Sequence, residues 1–353
     1  MKSLKIIRFG QALDVVEEAT PQPEGSQILL RMRASGICHS DLHLWEGSYD
    51  LGRGKSLSLA DRGINLPLTP GHEIVGEVVA TGPDATDLVT PGKTYLVYPW
   101  MGCGTCPVCL EGSEQLCATP RFLGVYRDGG YADHILVPHP RYLFDLDGLD
   151  PVTAAPYACS GLTTYGALKK VAAVLPHSPI VLFGAGGLGL MCLRLLKAMG
   201  GVGAVVVDID PAKRQAALEA GALAAVDGRA PDAQAQLTAA LGGPARAAID
   251  FVGSEDTARL GFDSLGKAGT LVIVGLFGGA APWSLPLIPI KSATVMGSYV
   301  GSLNDLRELL DLVRREDVPP IPVQRCALHD ASRALDDLRQ GKVVGRTVLV
   351  PAF

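Results

Sequence analysis

Pro179-Ile180-Val181-Leu182-Phe183-Gly184-Ala185-Gly186-Gly187-Leu188-Gly189 is the stretch whose reading decides the fold. Its first five residues are wholly apolar, as expected of a short parallel strand buried on both faces. A Gly-x-Gly-x-x-Gly run follows and leads into Leu190-Met191-Cys192-Leu193-Arg194-Leu195-Leu196, whose apolar periodicity predicts a helix. The bare glycine pattern often arises by chance. Here it has a strand before it, a helix after it, a second strand-like run over 203–208, and Asp208 standing 19 residues beyond Gly189. In that setting the backbone of Gly184, Gly186, Gly187, Leu188 and Gly189 can approach a pyrophosphate at the helix N-terminus, and Asp208 can hydrogen-bond both hydroxyls of an adenosine ribose. Asp208 would repel a 2′-phosphate and no Arg follows it directly, so NAD is expected rather than NADP. Lys213 reads either as a further ribose contact or as a solvated helix lysine.

Strand-like runs over 247–252 and 270–275 alternate with helical segments, and 295–301 reads as a last strand. The expectation is a doubly wound parallel sheet. Residues 303–316 read as an amphipathic helix, and 345–351 close on a strand. Residues 1–35 instead alternate apolar and polar side chains in short runs, such as Gln27-Ile28-Leu29-Leu30-Arg31-Met32-Arg33, which is the pattern of a small antiparallel barrel. At 353 residues the chain exceeds one ordinary core, so two domains are expected. Residues 46–67 form a polar, Gly-rich surface excursion. A phosphate loop at Gly52-Arg53-Gly54-Lys55-Ser56 is a weak alternative there, since the full Gly-x4-Gly-Lys-Ser spacing is absent.

Hydrophobic residues are 48% and charged residues 19% of the chain, which places it among globular rather than disordered proteins. The net charge of −5 leaves no basic footprint, so nucleic acid is not an expected partner. No apolar run reaches the length of a membrane span, and the N-terminus lacks the apolar core and cleavage site of a signal peptide. A cytoplasmic protein without a membrane partner is expected.

The chemistry concentrates in Gly36-Ile37-Cys38-His39-Ser40-Asp41-Leu42-His43. Cys38 can bind a borderline-soft cation such as Zn²⁺, while Ser40 and His43 can pass a proton onward without binding the metal. A catalytic zinc takes three protein ligands and keeps a position open, and the candidates for the other two are His72 and Cys159. Alone, Cys38 reads as a buried thiol and His72 as a structural imidazole. Two carboxylates strengthen the metal reading: Asp41 can accept the second ring N–H of His72, and Glu73 adjoins it. Cys103, Cys106, Cys109 and Cys117 form a C-x2-C-x2-C-x7-C cluster, dense enough to wrap one tetrahedral zinc with no open position. An iron–sulfur reading lacks the ferredoxin offset and the Pro after the fourth Cys. Cys192 and Cys326 read as ordinary thiols.

Together these residues resemble the zinc-dependent medium-chain alcohol dehydrogenases, whose motifs occur in the same order across nearly the whole chain. Tyr98-Pro99-Trp100, 159–165, 274–277 and 297–301 look closest to the tetrameric bacterial and archaeal members. The resemblance implies a GroES-like, mostly-β catalytic domain over 1–160 and 300–353, with a structural zinc lobe at about 99–118 and an NAD-binding Rossmann domain over 161–299. It implies two Zn²⁺ per subunit, the catalytic one on Cys38, His72 and Cys159, and a relay through Ser40 and His43. It places Thr163 against the nicotinamide, Val274 at the cofactor and Arg346 near the pyrophosphate. Trp45, Tyr49, Trp100, Phe122 and Tyr299 match substrate-pocket positions, though each alone reads equally as core. An apolar alcohol, primary or secondary and including aryl alcohols, is the expected substrate, with its aldehyde or ketone as product. A homotetramer is expected, with a dimer as the alternative. Two departures stand out: the 50–65 insertion, and Gly92-Lys93-Thr94, where an acidic residue usually follows the Gly. Competing readings are a zinc-free quinone or enoyl reductase, which has no use for Cys38, His72 and Cys159, and a crystallin-like nucleotide-binding structural protein.

Overall fold

Ile180–Phe183 is buried at all four positions, as an unbroken apolar run requires. Its side chains alternate between two cores: Ile180 and Leu182 join the large cluster, while Val181 and Phe183 join a separate one on the opposite face. That split is the physical content of a sheet covered on both sides. The computed structural model describes residues 1–281 and 283–352; Pro282 and Phe353, which fall within the expected nucleotide-binding and catalytic domains, lie outside them.

Ile180–Phe183 sits inside a six-stranded sheet in the order Ala224–Asp227, Ala204–Asp208, Ile180–Phe183, Ala245–Asp250, Leu265–Ile273, Thr294–Gly297. Every pairing is parallel, with Leu182 set opposite Val206 on one side and Ile249 on the other. The order reverses next to Ile180–Phe183, which opens a crevice at the carboxyl ends of the strands.

The second sheet draws on both ends of the chain. Its path runs Val323–Ala327, Arg346–Val350, Ile28–Gly36, Glu73–Thr81, Thr94–Val97, Leu143–Asp145, and His134–Val137 pairs with residues 28–31 of Ile28–Gly36, on the edge that meets Arg346–Val350 at residues 35–36. The pairing is antiparallel as expected except at one edge, where Val323–Ala327 and Arg346–Val350 run parallel. The helix Ala331–Arg339 lies between those two strands in sequence and makes the crossover. Lys2–Lys5 pairs with Asp14–Glu17 in a separate ribbon.

The excursion is a β-hairpin of Ser48–Gly52 with Lys55–Ser58. The phosphate-loop reading is therefore excluded, because its Gly-Arg-Gly-Lys lies on a hairpin tip with no helix after it. At the other departure, Gly92 takes a left-handed φ of 78° and Lys93 pairs with Asp145.

Helices join the two sheets. Ser160–Lys170 packs on Gly187–Ala198 and on Leu303–Arg315. The last of these is begun by Ser302, whose hydroxyl accepts the Asp305 N–H at 3.1 Å while the Asp305 carboxylate accepts the Ser302 N–H at 2.8 Å. It buries Leu306, Leu309, Leu310 and Val313, spaced at i, i+3, i+4 and i+7. Leu306→Ala would leave a cavity at a fully buried position; we expect thermal and urea unfolding to show a loss of about 2–5 kcal/mol with native zinc content retained.

Candidate active site

Cys38 immediately precedes the helix His39–Glu46, and a side chain from the third helical position fixes it in place. The Asp41 carboxylate accepts the Cys38 N–H at 2.8 Å, the Gly71 N–H at 3.1 Å and the Tyr131 hydroxyl at 3.2 Å. Asp41 is fully buried, so these three donors replace its water. One carboxylate thus ties the Cys38 turn to the segment carrying His72. Asp41 also lies 3.2 Å from His72 Nδ1, off-line for a hydrogen bond but close enough to bias the ring.

The three expected ligands converge. One atom each of Cys38, His72 and Cys159 lies within 4.8 Å of the others, and all three residues are buried. The two sulfurs are 3.9 Å apart; two thiolates on a tetrahedral zinc, at about 2.3 Å each, are separated by about 3.8 Å. His72 Nε2 is buried without a hydrogen-bond partner. Contact with Cys159 draws the Cys38 thiol well below its usual pKa against the effect of burial, and contact with Cys38, then burial, pushes Cys159 well above. Burial opposes a charge on His72, but Asp41 and Cys38 outweigh it and hold the imidazole well above its usual range. A proton-sharing thiol pair beside an orphaned ring nitrogen fits a divalent cation.

Behind this trio lies a second buried pair. Arg346 Nη2 donates to Glu73 Oε1 at 2.7 Å, and Arg346 Nη1 donates to the Ile37 carbonyl at 3.2 Å. The Ser160 N–H, next to Cys159, donates to the same Glu73 oxygen at 3.3 Å. Burial lifts the Glu73 carboxyl to about 7 against the pull of Arg346. A Cβ on Gly36 would stand 1.9 Å from Glu73 Oε2, so a glycine is required there.

Arg346 also faces the dinucleotide loop: a Cβ on Gly187 would come within 3.4 Å of its Cζ. Within the loop, Gly184 has φ 93°, and a Cβ on Gly189 would collide with the Gly184 carbonyl at 1.9 Å, while one on Gly186 would meet nothing. The close approach and the open cradle are what a pyrophosphate needs. Leu188 follows in the first turn of the helix, and its carbonyl accepts the Thr164 hydroxyl at 3.4 Å. Thr163 is buried in the helix beginning just after Cys159, its N–H donating to the Cys159 carbonyl at 2.8 Å.

Asp208 ends its strand with a carboxylate that accepts the Ala185 N–H at 2.7 Å and the Asp210 N–H at 2.9 Å. Arg214, not singled out from the sequence, donates to the Asp208 carbonyl at 2.9 Å and pairs with Asp227 at 3.3 Å. Both contacts are made by Nη1. Lys213 shares an electrostatic neighbourhood with His39, another residue sequence reasoning passed over. Val274 follows the strand Leu265–Ile273 and donates its N–H to the Asp250 carbonyl at 2.9 Å.

The Ser40 hydroxyl lies 3.8 Å from Cys38 Sγ. His43 is half-buried, 3.6 Å from Glu46 and with its ring 5.0 Å from that of Tyr49. Burial, opposed by Glu46, lowers its pKa, which leaves a neutral base at neutral pH. An aromatic wall starts at His72: Trp100 lies 5.2 Å from it, Phe122 lies 5.4 Å from Trp100, and Tyr299 lies 6.2 Å from Trp100. Tyr126, 5.8 Å from Phe122, extends the wall and was not anticipated. Trp45 does not join it. Two helical residues beyond His43, it points to the other side, where its Nε1 donates to the Gln11 carbonyl and Arg339 lies 5.6 Å over its ring.

The four clustered cysteines also come together, with all four sulfurs within 4.8 Å of one another. Cys117 accepts the N–H groups of Cys103 and Thr119 at 3.3 and 3.4 Å, and Cys103 accepts that of Cys106 at 3.3 Å. Such donors stabilise thiolates.

Comparison with known proteins agrees with this geometry. Residues 24–147 match the alcohol dehydrogenase GroES-like domain and residues 187–315 the zinc-binding dehydrogenase domain. An NAD-dependent alcohol dehydrogenase of Sulfurisphaera tokodaii is 37% identical over 99% of this chain and all of its own length. An alcohol dehydrogenase of Geobacillus stearothermophilus is 34% identical over 99% of this chain and 98% of its own. The crystal structure of the Aeropyrum pernix alcohol dehydrogenase superposes with a TM-score of 0.90 at 30% identity, covering 99% of this chain and 100% of that one. The chain belongs to the zinc-dependent medium-chain alcohol dehydrogenase family.

Because zinc must replace the protons held by Cys159 and His72, whose pKa values are raised while that of Cys38 is lowered, reloading the metal-free protein should release protons, visible as a buffer-dependent enthalpy in calorimetry. Cys106→Ser should lower the melting temperature and the zinc content while leaving the Cys38 site loaded.

Proposed function

We propose that the protein catalyses the reversible oxidation of a primary or secondary alcohol to its aldehyde or ketone, with hydride transfer to NAD⁺. The observation that carries this reading is the convergence of Cys38, His72 and Cys159 at the foot of an aromatic wall, with Arg346 linking that trio to the dinucleotide loop. Cys38, His72 and Cys159 hold a catalytic zinc, and Cys103, Cys106, Cys109 and Cys117 a structural one. When bound, zinc makes the alcohol hydroxyl acidic near neutral pH and NAD⁺ supplies the hydride acceptor.

The chain's own residues do the rest. Ser40 takes up the hydroxyl proton as its own O–H bond breaks and releases a proton along the relay, and His43 accepts the relayed proton and passes it to solvent, since burial keeps its imidazole neutral and ready to accept it. Asp41 orients His72, and Glu73 with Arg346 fixes the segments bearing Cys159 and the loop. Gly184, Gly186, Gly187, Leu188 and Gly189 receive the pyrophosphate, Asp208 and Lys213 the adenosine ribose, and Thr163 and Val274 flank the nicotinamide. Tyr49, Trp100, Phe122 and Tyr299 line the substrate side and favour an apolar alcohol, aryl or secondary, over a polyol.

The domain limits we favour are 1–160 with 300–353 for catalysis, including the lobe at about 99–118, and 161–299 for the nucleotide. Among the described residues no helix is long and apolar enough to cross a membrane, which supports a cytoplasmic enzyme. Thr294–Gly297 ends its sheet among the described residues, and Phe277, Leu285 and Ile290, in the segment that precedes it in sequence, are exposed. That edge supports a homotetramer, or a dimer, through strand-to-strand association.

Cys38→Ala should abolish turnover while NADH binding, followed by fluorescence, persists; turnover in the metal-free variant would refute the assignment. His43→Ala should retain zinc, slow turnover by up to about 100-fold and alter the pH–rate profile, whereas an unchanged profile would make it a surface imidazole. In a panel of alcohols assayed with both cofactors, apolar secondary and aryl alcohols with NAD⁺ should give the highest kcat/KM.

A further inference from the structure

A second cleft, of about 270 Å³ and lined by none of the trio, opens at the base of the cysteine lobe. Arg121, Arg127, Arg141 and His139 line it together with Met101, Gly102 and the lobe cysteine Cys103. Among the described residues, the only carboxylate hydrogen-bonded to these side chains is Glu114, on Arg141, and it is buried and engaged. It accepts the Tyr142 hydroxyl at 2.9 Å, the Gly102 N–H at 3.0 Å and the Arg141 guanidinium. Arg121 and Arg127 have no hydrogen-bond or ion-pair partner for their side chains among the described residues. His139 accepts the Arg141 N–H through Nδ1 at 3.0 Å, so its Nε2 carries the proton and is a donor.

We propose that this cleft is a binding site for a small phosphate-type oxyanion, free or as a phosphomonoester, held by Arg121 and Arg127 with Arg141 and His139. Planar guanidinium forks match phosphate oxygens in pairs, and the volume leaves room for a short organic group. The arginines are not spent on the neighbouring thiolates, whose recorded donors are backbone N–H groups and the hydroxyls of Thr105 and Thr119. All four cationic or donor side chains are exposed, so screening limits the affinity to roughly millimolar for phosphate alone. The site also touches function. Arg121 and Arg127 bracket the turn that carries Phe122 and Tyr126 into the aromatic wall, and that turn is closed by the Arg127 N–H on the Phe122 carbonyl at 3.1 Å. An anion joining its two ends braces that wall from behind.

The test uses the zinc-loaded protein saturated with NADH, so that the dinucleotide loop cannot take the phosphate, in chloride buffer at fixed ionic strength. Calorimetric titration with inorganic phosphate should show one saturable site per chain, and a phosphomonoester such as glycerol 2-phosphate should bind more tightly if the rest of the cleft is used. R121Q/R127Q should weaken both by about 10-fold or more, and R121K/R127K should fall between. Absence of saturable phosphate binding in the wild type would overturn the proposal. So would equal binding by R121Q/R127Q. If the wild type binds no phosphate and R121Q/R127Q loses lobe zinc, the arginines only balance the thiolate charge.

Discussion

Two buried sulfurs 3.9 Å apart, beside a buried imidazole nitrogen with no partner, form the constraint on which the rest of the structure depends. Removing such groups from water is costly unless something replaces the lost solvation. A divalent cation does so for all three at once. Every device around the trio holds its members close: Asp41 as the clamp on Cys38, Gly71 and His72, and Glu73 as the tie between Arg346 and the start of the Cys159 helix.

Arg346 carries the constraint across the molecule. It comes from the C-terminal strand, which pairs antiparallel with Ile28–Gly36 and so brings the end of the chain beside Cys38. One guanidinium meets Glu73, the Ile37 carbonyl and the flank of Gly187, so the metal and nucleotide sites share a buried charge rather than merely facing each other. Glu73 and the thiols raise the Arg346 pKa although burial opposes it, so the charge persists in the interior. Replacing one partner of such a pair strands the other, so a change at Arg346 or Glu73 would be felt on both sides of it.

Much of this was legible in the sequence where local chemistry dictates the outcome. The run from Ile180 to Phe183 had to be buried on both faces, and the glycine spacing fixed the tight turn before the helix. The donor types of Cys38, His72 and Cys159 pointed to their convergence, and the spacing of the four lobe cysteines to theirs, and both groups do come together. Relations that only the fold creates stayed hidden. Nothing in the spacing reveals that Asp41 clamps the Cys38 backbone, that Arg346 reaches Glu73 273 positions away, or that Arg214 turns its charge toward Asp227. Trp45 was misplaced because motif alignment says nothing about helix phase, and two residues from His43 is the opposite face. A heptad-style projection of His39–Glu46 would have found that one.

Diffraction from crystals of the zinc-loaded protein, recorded on both sides of the zinc absorption edge, tests the central claim most directly. The account predicts one anomalous peak at about 2.3 Å from Cys38 Sγ and Cys159 Sγ and about 2.0–2.1 Å from His72 Nε2, with its fourth position open to solvent or substrate, and a second peak among the four lobe sulfurs. An absent first peak, or one closed by a fourth protein ligand both with and without NADH, would contradict it.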